Sequence, residues 1–311
     1  MQKMEVLFLK NPISTSLSFC LREDTLESSL DLAAAAGYRR IDFPIHTVSR
    51  PAGSPLRRED WEAWSAALAK KVRDRGLSVW QAHASWEQAV PEDFSFEPPF
   101  EIYRRTLRCC AILGCTRLVF HPPMYFYPMV SEALRQRIHV WGAQWFACLA
   151  PEAAALGITL ELENMFDYRQ LHRPGDFPFP YASAADYLDL RQRIGGQGVQ
   201  FCVDTGHANL SGNDPAEMIL TYGSDLGVVH LNDNYGPFPK NERATPDLHL
   251  LPGSGNLRWD RIFTALKAVH FTGSLNLEPG ARFALLSPAQ QVMILRFGRE
   301  MVAQMAEEAG L

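Results

Sequence analysis

The sequence is short of several things, and each shortage removes a class of protein. It contains no run of 18 apolar residues, so no membrane-spanning helix is expected. Its six cysteines (Cys20, Cys109, Cys110, Cys115, Cys148 and Cys202) form no C-x-x-C pair and no regular framework. They read as free thiols of a reducing, cytoplasmic compartment rather than as disulfides. Basic charge is not in excess. Lys and Arg number 30 against 35 Asp and Glu, a formal net charge of −5, which removes the simplest argument for a nucleic-acid binder. No G-x-G-x-x-G follows the first apolar run, which weakens a doubly wound dinucleotide-binding sheet. The opening MQKMEVLFLKNPIS lacks a long apolar core and a small-residue cleavage site, so a first strand is expected there, not a signal peptide. What remains is ordinary globular composition, 311 residues with 47% hydrophobic and 21% charged.

Short β-rich runs alternate with longer amphipathic stretches. Strands are expected at 4–9, 38–43, 77–83, 116–121, 158–164, 199–204, 226–232 and 273–278. Helical patterning fills 24–37, 58–76, 97–114 and 131–157, and these stretches end on Gly37, Gly76, Gly114 and Gly157. Eight strand–helix units in a chain of this length predict a single α/β domain over 1–311, a closed (β/α)₈ barrel with parallel strands. In such a barrel the carboxyl ends of all strands meet on one face, where the active site sits.

The residues at those ends carry the chemistry. The third run ends in His83 and the fourth in His121. The fifth carries Glu161 and Glu163, two apart and so on one face. The sixth ends in Asp204, with His207 close behind; the seventh carries His230, followed by Asp233. Asp247 and His249 follow, and the eighth run ends in Glu278. Imidazoles and carboxylates in one place suit a divalent cation such as Zn, Mn or Co, and carboxylates crowded without one repel each other. Glu161 is left outside this set as a second partner or a barrel-layer residue. His46, His139, His172 and His270 are expected in packing roles. The loop 166–181 reads equally as a lid or as a packing insertion. Trp86, Tyr125 and Phe126, beyond the third and fourth runs, suit either a sugar ring or surface packing. Gly253, Ser254 and Gly255 ahead of a helix offer either a tight turn or an anion cradle.

In order, the segments VFHPP, LELEN, VDTGHANL, VVHLND, DLHLLPGSGNLRW and LNLEP resemble the xylose isomerase-like TIM-barrel superfamily. It includes sugar and sugar-phosphate isomerases and epimerases, related dehydratases, and the endonuclease IV family. The resemblance runs from the second strand to the end of the chain. For the epimerases it implies one metal held by Glu163, Asp204, His230 and Glu278, with His207 contacting substrate. For endonuclease IV it implies three zinc ions, with His83, His121, His207, Asp247 and His249 as additional ligands. Asn164, Asp233, Trp86 and Tyr125 are expected to contact substrate.

Two functions follow as expectations. The first is a divalent-metal-dependent isomerase or epimerase (Mn, Zn, Co or Mg, one to three ions) acting on a sugar, sugar phosphate or polyol. Glu163 and Glu278 would take and return a proton beside a carbonyl, with His207 stabilising the enediolate oxygen. The second is a multi-zinc phosphodiester hydrolase. A small carbohydrate is the expected partner; nucleic acid and membrane are not expected, and a homo-oligomer is an open option.

Overall fold

The computed structural model describes residues 11–125, 131–166, 180–237 and 247–311. Eight strands pair side by side in chain order: β1 (Ile13–Ser16), β2 (Arg40–Pro44), β3 (Ser78–His83), β4 (Arg117–Phe120), β5 (Thr159–Glu163), β6 (Val199–Asp204), β7 (Leu226–Leu231) and β8 (Leu275–Leu277). Every pairing is parallel, and β8 closes onto β1 through Ile13 opposite Leu275 and Thr15 opposite Leu277. Around the barrel lie α1 (Leu26–Ala35), α2 (Trp61–Asp74), α3 (Glu101–Ile112), α4 (Glu132–Ala155), α5 (Ala184–Ile194), α6 (Thr205–Leu210), α7 (Pro215–Tyr222), α8 (Trp259–Ala268) and α9 (Pro288–Ala309). This is a (β/α)₈ barrel. None of the described helices is long and apolar enough to cross a membrane.

One expected strand is displaced. The run 4–9 lies outside the described residues, and the first barrel strand is Ile13–Ser16. Its inward residues are hydrogen-bonded rather than apolar. Ser14 Oγ donates to Asn276 Oδ1 and receives a bond from Ser274 Oγ. A strand stabilised in this way shows no hydrophobic run to a reader of sequence. The other strands fall on the expected runs, and Gly37, Gly76, Gly114 and Gly157 stand just past α1 to α4 at φ of 88°, 65°, 71° and 69°. That left-handed backbone is cheap for glycine, and it turns each helix back toward the next strand.

Period-two alternation sorts the strand side chains into two cores. Leu160, Leu162, Phe201, Val203, Val229 and Leu231 face the helices and join the large apolar cluster there. Tyr103 and Trp145 meet edge-on at 4.8 Å in that layer, as do Phe120 and Phe146 at 5.7 Å. Each such ring contributes about 1.5–3 kcal/mol by leaving water. The intervening positions face the barrel axis and form a stack of distinct character. At one level Arg117 pairs with Glu161 and Gln200. Above it sits a small apolar trio, Val119, Cys202 and Val228. Next come the strand ends that carry the site. Gly227 leaves room for the Arg117–Glu161 pair, since an added Cβ there would collide with both side chains.

Candidate metal centre

Strand register explains why the acids and imidazoles converge. Asp204 on β6 is opposite His230 on β7, and His230 is opposite Asn276 on β8. Glu163 ends β5 two residues beyond Glu161, and His83 ends β3 opposite Val119. One ligand atom from each of His83, Glu163, His230 and Glu278 falls within 4.8 Å of all the others, and all four residues are buried. His207, Asp247 and His249 form a second such group. Asp204 joins Glu163 and His207 in a third, and His249 and Glu278 in a fourth. His121 stands beside them, with Nε2 3.1 Å from Glu163 Oε2.

The distances within the first group are those of a cluster held by charge. His230 Nδ1 lies 3.1 Å from Glu163 Oε1 and 3.3 Å from Glu278 Oε2. His83 Nε2 lies 3.4 Å from Glu163 Oε2 and 3.7 Å from Glu278 Oε1. Burial pushes both carboxyls up, but His230 and His121 outweigh it at Glu163 and hold that group well below the usual range. At Glu278 burial prevails over His230, His249 and His83, and the carboxyl is pushed up to about 7. Burial also works against charge on His207, yet Asp204 and Asp247 raise it to about 10.

These residues fit a divalent cation. Glu163 Oε2, Glu278 Oε2 and Asp247 Oδ1 are buried acceptors that have imidazoles within ion-pair distance but receive no well-aligned hydrogen bond. A buried acceptor left unsatisfied costs about 1–3 kcal/mol, and a coordinated cation removes that cost. Mixed imidazole and carboxylate donors match Zn, Mn or Co.

Asp204 differs from the other expected ligands in having its oxygens engaged. Oδ1 accepts from His207 N–H at 2.7 Å, capping α6, and Oδ2 accepts from Asn232 Nδ2 at 2.7 Å. His83 occupies the four-residue group in its stead. Two of the expected substrate contacts are committed within the fold. Asn164 bonds the Asp204 carbonyl and the Asp204 N–H, locking β5 to β6. Asp233 accepts from Asn234 N, Gly253 N, Leu257 N and Trp259 Nε1. In the Gly253–Gly255 segment, Gly253 N–H is given to this internal carboxylate and Ser254 N–H to the Leu251 carbonyl. Tyr125 is buried and stacks on Phe94 at 5.6 Å. Trp86 lines the cavity over the site. Phe126 and most of loop 166–181, including His172, lie outside the described residues. His46 packs on Trp86 at 4.1 Å, and His139 bonds Asp189 and stacks on Tyr181. Glu161 serves the Arg117 pair, and burial raises its carboxyl to about 7.

Two functional positions escaped the sequence reading. Asp42, fully buried on β2, lies 2.9 Å from His83 Nδ1, so that nitrogen donates and Nε2 is left for the cluster. Gln81, fully buried on β3, places Nε2 2.8 Å from His230 Nε2, while its Oε1 has no partner. Turning that amide over puts Oε1 against the ring. His230 Nε2–H then donates, and Nδ1 keeps its lone pair for a cation. Both residues sit inside strand runs, two residues from the strand end. Their signal was polarity at an inward position: Gln81 precedes His83 by two, and Asp42 is an acid within YRRIDF.

The cavity above the cluster measures about 510 Å³ and opens at the carboxyl ends of the strands, a size suited to a small molecule. Comparison with known proteins agrees with this architecture. Residues 30–294 match the family described as the xylose isomerase-like TIM barrel. The chain is 31% identical over 289 residues to the uncharacterized protein y4fM of Sinorhizobium fredii, covering 88% of this chain and 77% of that one. It is 27% identical over 260 residues to a D-psicose 3-epimerase of Agrobacterium fabrum, covering 80% and 78%. Its fold superposes on a xylose isomerase domain protein from Alicyclobacillus acidocaldarius with a TM-score of 0.69 at 22% identity, covering 96% and 99%. The chain belongs to the xylose isomerase-like TIM barrel family.

Proposed function

We propose that this protein is a divalent-metal-dependent isomerase or epimerase of a small carbohydrate. The observation that carries the reading is the pair Glu163 and Glu278, converging with His83 and His230 under a cavity of small-molecule size. The similarity to a D-psicose 3-epimerase over most of the chain supports it. The cation is Mn, Zn, Co or Mg, held by Glu163, His230 and Glu278 with His83 or Asp204. Such a cation, when bound, supplies positive charge that polarises a carbonyl and acidifies the C–H beside it. Glu163 and Glu278 have two oxygens each, so holding a cation with one leaves the other to take or return a proton. His207 gives Nδ1–H to the Asn164 carbonyl at 3.0 Å, which directs Nε2 toward the cavity side as a donor to a developing oxyanion.

The test is proton exchange. Metal-loaded protein is incubated with D-psicose, D-fructose and related ketoses in D₂O, and deuterium at the epimerised carbon is read by NMR. Glu163→Gln and Glu278→Gln are each expected to lose about 10²–10⁴-fold in kcat while remaining folded. Near-normal turnover in either variant would overturn the assignment.

A second reading has its own observation. His207, Asp247 and His249 form a group of their own that adjoins the first, while His83 and His121 both stand beside Glu163. A phosphodiester hydrolase using two or three ions fits that arrangement. Counting metal per chain separates the two. One ion supports the isomerase, three support the hydrolase, and cleavage of abasic DNA then decides the matter.

A further inference from the structure

The cavity has a wall that the chemistry above does not use. Trp86 stacks on His46 at 4.1 Å and 20° and on His121 at 4.8 Å and 25°. Those two buried or half-buried imidazoles fix the indole in place. Arg50 lays its guanidinium over the same indole, with Cζ 5.3 Å from the ring centroid. Arg50 is also the one Lys or Arg among the described residues that line the cavity. It stands at the exposed end of the irregular segment after β2, tied by its backbone N–H to the His46 carbonyl. Among the described residues no carboxylate pairs with it. The nearby acids Glu163, Asp247 and Glu278 are taken up by histidines. A cation–π contact of this kind consumes none of the five N–H donors of a guanidinium, so the fork that matches a phosphate or carboxylate is kept. A cation oriented by a fixed ring, one indole away from His121 at the edge of the cluster, is a prearranged contact for the far end of a ligand whose near end meets the cluster.

We infer that Arg50, oriented by Trp86, forms an anion subsite, so that the substrate is a carbohydrate with an anionic group at its far end. The inference rests on the small-carbohydrate reading above and narrows it to acidic members of that class. The shared chemistry is a charged oxygen fork: a phosphate monoester or a sugar carboxylate.

Three matched ketoses test it: D-fructose, D-fructose 6-phosphate and D-fructuronate, which differ only in the group at the terminal carbon. Each is titrated calorimetrically into metal-loaded protein and into Arg50→Met, whose thioether chain still covers Trp86. An anionic ketose is expected to bind wild type at least about tenfold more tightly than D-fructose, as a charge-assisted hydrogen bond warrants. Arg50→Met is expected to collapse that preference. A gain confined to the phosphate names a sugar phosphate as ligand, and a gain confined to the carboxylate names a sugar acid. Equal binding of all three by wild type, or a preference that survives in Arg50→Met, overturns the subsite. If none of the ketoses binds, the carbohydrate reading fails by itself, and inorganic phosphate becomes the probe. Phosphate binding weakened about tenfold in Arg50→Met sustains the anion subsite, and phosphate binding that is absent or unchanged overturns it.

Discussion

At the scale of single residues, the cluster depends on groups that never reach the cavity. Asp42 sets the donor side of His83, and Gln81 faces the outer nitrogen of His230. Removing an outer partner of a metal-ligating histidine costs roughly 10–100-fold in metal affinity. Asp42→Asn and Gln81→Leu are therefore each expected to weaken metal binding by about that factor, measured by competition with a chromophoric chelator. Affinity equal to wild type in both would show that neither residue orients its histidine. The clustered acids and imidazoles were legible in sequence because they end strands, where polarity interrupts an apolar run. Their supporters were not, because Asp42 and Gln81 lie within runs that already read as strand. Asn164 and Asp233 were misleading in the opposite way. They stand near clustered residues in the chain, but their side chains are spent on partners within the fold. Sequence adjacency locates a residue near a site without saying which way its bonds run.

At the scale of elements, the short helix α6 matters out of proportion to its length. It begins on Asp204 as its cap and carries His207. It packs so closely on the segment after β7 that Gly206 has no space for a side chain. An added Cβ would overlap Asn232 Oδ1, and Asn232 is the residue that holds Asp204 Oδ2. Gly206→Ala is expected to cost about 1–3 kcal/mol in urea unfolding and to lower metal affinity as well. The contrast is Ser183→Ala, which removes the capping box of α5. It should cost about 1 kcal/mol with metal affinity intact, since α5 carries no ligand. If Gly206→Ala changed stability alone, α6 would not be coupled to the centre. Most elements were visible in hydrophobic periodicity and in the glycines that stop α1 to α4. The first barrel strand was not, because serine hydroxyls replace apolar contacts on its inner face.

At the scale of the whole molecule, the cluster ties stability to pH and, on the proposed function, to metal as well. In the metal-free protein His83 and His249 are raised well above the ordinary value, and His207 to about 10, by the carboxylates that outweigh burial. A group whose folded value is raised stabilises the protein fully below its unfolded value, near 6.5, and loses that contribution as pH rises through the folded value. Metal-free protein should therefore lose stability between about pH 6.5 and 10. Metal binding displaces those protons, so the loaded form is spared the loss. The gap in melting temperature between loaded and chelator-treated protein is expected to widen over that interval. A gap independent of pH would mean that the histidines do not carry protons in the metal-free state.

The seam where the barrel closes adds a temporal consequence. Ser274, Ser14, Asn276 and Asp42 form a continuous hydrogen-bonded line that ends on His83. It joins the first strand to the last, and Glu278 lies just beyond that last strand. A chain emerging from the ribosome makes His83 early but completes its support only when the final fifth of the polypeptide is out. On the proposed function, tight metal capture is thus expected of the finished circle alone, since an incomplete chain has neither the last carboxylate nor the fastening that steadies the first imidazole.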